Sequence, residues 1–290
     1  MTFSDWHLFR FIAVVVLATA LLVPTMPPWA EVSALVVLVA ATGLPHGAFD
    51  PYIAKRRGVW KSGSSLIVFS FLYLALAGIV VGLWVIAPVL SLGLFLAASA
   101  WHFGGDWSAR ILPRLAFGGL ILALPAVLAP TEVAYIFVVL SGENALALVQ
   151  GLSATSLCAA TFLLVEMIRQ NSSGEVLARL PDLAILITTA ALLPPTIYFI
   201  VYFCALHSPM HMRETLIGFR NAERRSAIQV AFVFTLLTLA LGLCAFAIMP
   251  STTSISDAAV QIIFIGLAAL TVPHLVLIDG FRQREWDSVK

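Results

Sequence analysis

Five of the six histidines in this chain, His46, His102, His207, His211 and His274, stand inside long apolar stretches. A polar ring placed in such a stretch is expensive, and where one occurs it usually faces the interior of a helix bundle and acts in function. Neutral imidazole carries a lone pair that suits a divalent transition metal, so several rings aimed at one point would make a catalytic metal site. His207 and His211 are four residues apart, which puts both on one helix face where they can grip a single ion. An HxxxH pair alone is a weak signal, since a single intramembrane histidine often serves only as a hydrogen-bond donor between helices. His7, near the start of the chain, reads as a solvated interfacial ring.

The elements that must hold these rings are helices in lipid. Of the 290 residues, 61% are apolar and 11% are charged, and the mean hydropathy of +1.01 is far above that of soluble domains. A hydrocarbon core of about 30 Å needs roughly 20 apolar residues per helical crossing. Runs of that kind, separated by Pro, Gly and charge clusters, begin near residues 8, 31, 63, 89, 112, 144, 180, 195, 225 and 256. The expectation is therefore an all-α, polytopic bundle of about ten transmembrane helices forming one domain over residues 1–290. Two stretches are ambiguous: residues 131–140 could be a surface or re-entrant piece, and 180–193 is short and ends at Pro194-Pro195. The first apolar run lacks an Ala-x-Ala cleavage pattern and is expected to be a retained helix. Cys158, Cys204 and Cys244 stand singly in apolar stretches, with no CxxC spacing, and read as small packing residues. The net charge of +1 and the absence of a basic patch with interleaved aromatics argue against a nucleic-acid partner.

Charge orients the chain. With ten spans and the N-terminus inside, the Lys and Arg residues fall on or near one side, and the opposite loops carry Glu31, Glu132, Glu143 and Asp257 with no basic residue. Positive charge marks the cytoplasmic side, so both termini are expected to be cytoplasmic and the chain to be a multi-pass protein of the inner (plasma) membrane. His46, His102, His211 and His274 precede Lys55, Arg110, Arg220 and Arg282 by nine, eight, nine and eight residues. At 1.5 Å per residue these intervals set the four rings about 12–14 Å from their basic markers, in one layer. Independent packing histidines have no reason to share a depth.

An acid follows each ring: Asp50 and Asp106 at i+4, Asp279 at i+5, and Glu214 three residues after His211. A carboxylate one turn away could accept the second ring N–H and fix the tautomer for metal binding. Ordinary interfacial pairing with Lys and Arg is the competing explanation. The fragments LPHGAFD and VPHLVLID each place Pro directly before His, where a kink would open room for a ring or ligand. Gly47, Ala48, Gly104 and Gly105 would allow close helix approach. Trp101, Phe103, Tyr198, Tyr202 and Phe203 could line an apolar substrate channel, although ordinary core aromatics are the default. Tyr202, five residues before His207, is the foremost of these.

PHGAFD (45–50), WHFGGD (101–106), HSPMH (207–211) and PHLVLID (273–279) together resemble the Brp/Blh family of bacterial and archaeal β-carotene 15,15′-dioxygenases. The resemblance spans residues 45–279. It implies an integral membrane enzyme that uses O₂ and non-haem Fe(2+) to cleave the central double bond of β-carotene into two molecules of retinal. Carried over position by position, it implies His46, His102, His207 and His211 as iron ligands, with His274 as a fifth ligand or outer support. The partners it implies are a carotenoid, O₂ and the lipid bilayer, with a retinal-binding rhodopsin as a candidate recipient of the product.

Other classes of protein would use the same residues differently. A haem electron-transfer protein would pair axial histidines across helices. A proton-coupled transporter would string histidines and acids through the bilayer, whereas these rings share one depth. A di-iron hydroxylase would need more histidines than are present.

Overall fold

The computed structural model describes residues 3–22, 26–169, 173–217 and 219–287, with side chains described over 6–22, 26–169, 176–217, 219–221 and 223–278. Among the described residues every regular element is helical. In chain order they are α1 (Phe3–Leu22), α2 (Pro28–Leu38), α3 (Leu44–Gly47), α4 (Asp50–Arg56), α5 (Gly63–Ile86), α6 (Pro88–Gly104), α7 (Ile111–Leu128), α8 (Pro130–Ser141), α9 (Leu146–Ile168), α10 (Ser173–Leu192), α11 (Pro195–Tyr202), α12 (Ser208–Ile217), α13 (Asn221–Ala247) and α14 (Ile255–Asp287). Two π-helical segments interrupt the series, Val39–Gly43 before α3 and Phe203–His207 after α11. Proline opens α2, α6, α8 and α11, where its missing N–H costs nothing.

Among the described residues six helical stretches are long and apolar enough to cross a membrane: Pro28–Arg56, Gly63–Ile86, Ile111–Leu128, Glu143–Ile168, Glu223–Ala247 and Ile255–Ile278. The outward face of α5 shows why lipid must be the solvent. Phe71, Leu72, Ile79 and Val85 there are 70%, 60%, 65% and 80% exposed, an apolar surface that water would not tolerate. The protein is a helical membrane protein. The four remaining expected crossings are helical but shorter or broken: Trp6–Leu22 and Pro88–Gly104 are shorter apolar helices, α10 contains Pro181, and the one that begins near residue 195 carries the second π segment between α11 and α12. The ambiguous stretch 131–140 lies in the short apolar helix Pro130–Ser141.

The chain forms two compact units that interleave in sequence, residues 1–35 with 88–207, and residues 36–87 with 208–290. In the first unit α7 packs against α6 and α9, and α1 against α10. The contact between α6 and α7 is made by backbone. A Cβ on Gly118 would lie 1.8 Å from the Ala100 carbonyl oxygen, and one on Gly104 1.9 Å from the Arg114 carbonyl oxygen. In lipid, where burial gives helices little reason to associate, such close approach supplies the packing. Arg10 joins α1 to α10 through Asp182, with Nε donating to Oδ1 at 2.7 Å. In the second unit α5 lies along α14, and α3 lies against α12 and α13. Phe49, Ala48, Phe219, Ala227 and Ala231 form its buried cluster, and the Arg57 guanidinium donates to the Leu277 and Ile278 carbonyls of α14.

G118A is expected to force α6 and α7 apart and to lower the thermal midpoint of the purified protein by the equivalent of about 1–3 kcal/mol. G82A, where a Cβ meets nothing within 4 Å, is the control and should leave the midpoint unchanged. Equal midpoints for the two variants would show that the close approach carries no stability.

Candidate metal centre

In the first unit a cluster of titratable side chains is built on α6 and the π segment Phe203–His207. His102 is on the last turn of α6, and the chain then turns tightly, with Gly105 N–H donating to the His102 carbonyl and Asp106 N–H to that of Phe103. This turn brings the Asp106 carboxylate to His207, whose Nδ1 donates to Oδ2 at 2.8 Å. The Tyr202 hydroxyl donates to the same oxygen at 2.8 Å and accepts from Trp107 Nε1 at 3.2 Å. Tyr202 and His207, five residues apart, would diverge by about 140° on an α-helix. The wider π turn brings such a pair toward one face, and π segments of this kind are frequent at functional sites. His207 is fully buried and Asp106 2% exposed. The rings of His102 and His207 are 4.7 Å apart at 75°, and Phe203 stacks on His207 at 5.7 Å.

The second unit repeats the construction with different elements. His46, on α3, turns its Nδ1 to the carbonyl of Gly43 at the end of the first π segment. Asp50 opens α4 and is fully buried. It accepts from His274 Nδ1, at 2.8 Å to Oδ1, and from the Tyr73 hydroxyl, at 2.7 Å to Oδ2. The ring centroids of His274 and His211 lie 5.4 Å and 6.4 Å from that of His46.

These contacts correct the pairing expected from spacing. Neither Asp50 nor Asp106 holds the histidine four residues before it. Each reaches across to a histidine far away in the chain, Asp106 to His207 and Asp50 to His274. Both acids are buried against imidazole. Glu214 is exposed, and the side chain of Asp279 lies outside those described. Tyr202 donates its hydroxyl to Asp106. Trp101 takes the Arg114 guanidinium over its ring at 3.9 Å, and the Tyr198 hydroxyl donates to the Ile121 carbonyl at 2.8 Å. Arg114 is buried. His7 is exposed. Tyr73 was not among the expected site residues; its one signal was to be the lone phenol in the most hydropathic span.

The donor set fits a divalent metal. A carbonyl or carboxylate can only accept, so Nδ1 of His46, His207 and His274 carries the proton and Nε2 the lone pair. That is the tautomer a metal needs, with an oxygen behind the ring to fix its direction. Among the described residues Asp50 has no Lys or Arg partner, and burying such an anion is costly. A dication on the imidazoles would offset that cost.

Fold and site together define a helical membrane protein built around buried histidines that carboxylates and phenols hold in orientation. Residues 37–282 match the model of the family described as Beta-carotene 15,15'-dioxygenase, and the chain belongs to this family of enzymes. It is 29% identical over 256 residues to the Beta-carotene 15,15'-dioxygenase of uncultured marine bacterium 66A03, an alignment covering 83% of this chain and 90% of that protein. No solved structure matches the chain.

Proposed function

We propose that this enzyme cleaves the central 15,15′ double bond of β-carotene, or of a close carotenoid, with O₂ to give two molecules of retinal, at one Fe(2+) held by His46, His102, His207 and His211. One oxygen atom enters each aldehyde, so the C=C bond and O₂ are consumed together and nothing else is needed for balance. The observation that carries the reading is the carboxylate behind His207, which fixes a metal-binding tautomer inside an apolar, membrane-embedded protein of this family. Iron bound there would supply O₂ activation, chemistry that no side chain of the chain can perform alone.

The residues supply position and exclusion. Asp106 and Tyr202 hold the His207 ring, and the Gly43 carbonyl holds that of His46. With Nδ1 donated to an oxygen and Nε2 committed to metal, these imidazoles have no lone pair left for a general base, so any proton transfer falls to water or a carboxylate. Phe103 and Phe203 flank His207 and keep water from it. Held beside the metal at its midpoint, a polyene reacts there and not elsewhere, because proximity decides the bond attacked. A substrate that dissolves only in lipid arrives from the bilayer.

The reading carries the wider topology with it: one transmembrane domain of about ten spans, multi-pass in the inner (plasma) membrane, both termini cytoplasmic, with retinal passed to a retinal-binding rhodopsin. A C-terminal tag is expected to resist protease added outside intact cells and to be cut in inverted vesicles; external cutting would reverse the orientation. Expression in bacteria that accumulate β-carotene is expected to bleach the orange colour and yield retinal. Persistent colour, with iron-loaded protein present in the membrane, would sink the β-carotene assignment.

A further inference from the structure

We infer that Tyr73, acting through Asp50, is the residue that positions the His274 ring and fixes its metal-binding tautomer; this rests on the metal reading above, with His274 as the fifth imidazole that the resemblance implies. The argument is one of matching construction. In the first unit Tyr202 donates to Asp106 at 2.8 Å and His207 donates its Nδ1 to the same carboxylate at 2.8 Å. In the second, Tyr73 donates to Asp50 at 2.7 Å and His274 donates its Nδ1 to that carboxylate at 2.8 Å. Each aspartate follows a histidine by four residues in sequence and accepts from another histidine far away, 101 residues for one pair and 224 for the other. A donor arrangement that leaves Nε2 of His207 with the lone pair does the same for His274. The ring of His274 stands 5.4 Å from that of His46 at 79°, much as His102 stands 4.7 Å from His207 at 75°.

The placement of Tyr73 is hard to account for by packing alone. Its neighbours on α5, Phe71, Leu72 and Leu74, are 70%, 60% and 56% exposed, so the helix is mostly a lipid-facing element. A phenylalanine would suit it better unless the hydroxyl is used. That hydroxyl also lies 3.3 Å from the Leu270 carbonyl, one turn before Pro273, whose missing N–H loosens α14 where His274 leaves it. Tyr73 thus fixes both the carboxylate behind the ring and the backbone that carries the ring.

The test is made on full-length protein in detergent, stripped of metal and titrated anaerobically with Fe(2+) against a coloured chelator, with the imidazole count read from iron X-ray absorption. H274A is expected to lower that count by one. Y73F and D50N are expected to weaken iron binding by roughly ten- to a hundredfold, the usual effect of losing a residue behind a ligand. In the H274A background Y73F should weaken iron no further, since its effect passes through that ring. An unchanged imidazole count in H274A, or an equal effect of Y73F with and without His274, overturns the assignment and makes the trio a packing network. Y73F keeps its ring and decides the matter even if H274A is not recovered, because unchanged iron affinity in Y73F also overturns it. Failure of the wild-type protein to take up Fe(2+) would instead defeat the iron reading itself.

Discussion

Replacement of His207 by alanine is expected to abolish iron binding and carotenoid cleavage together, lowering both about a hundredfold or more. Removing a ligand costs more than removing the residue behind it, which alone is worth about ten- to a hundredfold in metal affinity. The ring is fully buried, wedged against His102, Phe103 and Phe203, so its loss also leaves a cavity. It further leaves the buried Asp106 carboxylate without its imidazole, and breaking a buried pair from one side costs about 3–5 kcal/mol. Stability and activity would then fall in one variant. D106N separates them, because it keeps the shape and removes only the charged acceptor; iron affinity should fall while the protein remains folded by circular dichroism. H7A, at an exposed ring, should match the wild type in both. Iron per protein and turnover are the measurements, and H207A retaining a tenth of the iron would contradict the ligand assignment.

Removal of metal by an anaerobic chelator is expected to abolish cleavage completely, and Fe(2+) to restore it. Zn(2+) should bind, since imidazole serves zinc as well as iron. It should not restore activity, because zinc has no redox chemistry to offer O₂. Occupied but inactive zinc protein would locate the metal's role in O₂ activation rather than in holding the fold. Activity that survives chelation with no metal left in the sample would remove iron from the reaction.

Much of this was legible in the residues. Apolar composition demanded helices in lipid, and the five histidines out of place in that setting are the ones around which both units are built. The HxxxD spacing of His46 with Asp50 and of His102 with Asp106 was equally visible. What spacing could not tell was which ring each carboxylate serves. That depends on which helices are neighbours, and neighbours 101 and 224 residues apart leave no local trace. The π register of Phe203–His207 was hidden for a related reason: it goes with contacts of Tyr202 and His207 to Asp106, a residue about a hundred positions earlier in the chain. Tyr73 was hidden by its surroundings, where phenylalanines and leucines make an aromatic ring look like one more lipid contact.

The interleaving of the two units has a consequence for the order in which the chain is made. Asp50 and Tyr73 enter the membrane early, on neighbouring helices of the second unit, and their hydrogen bond can form at once. His274 is synthesised 224 residues after Asp50. Throughout that interval a carboxylate inside an apolar setting has a phenol but no imidazole, and charge in that position is strongly disfavoured by lipid. The unfinished protein is therefore the less stable occupant of the bilayer, and the arrival of α14 relieves the penalty. An interrupted chain keeps its acid unrelieved, so the residues that orient a ring in the finished enzyme also mark, during biogenesis, whether the chain has been completed.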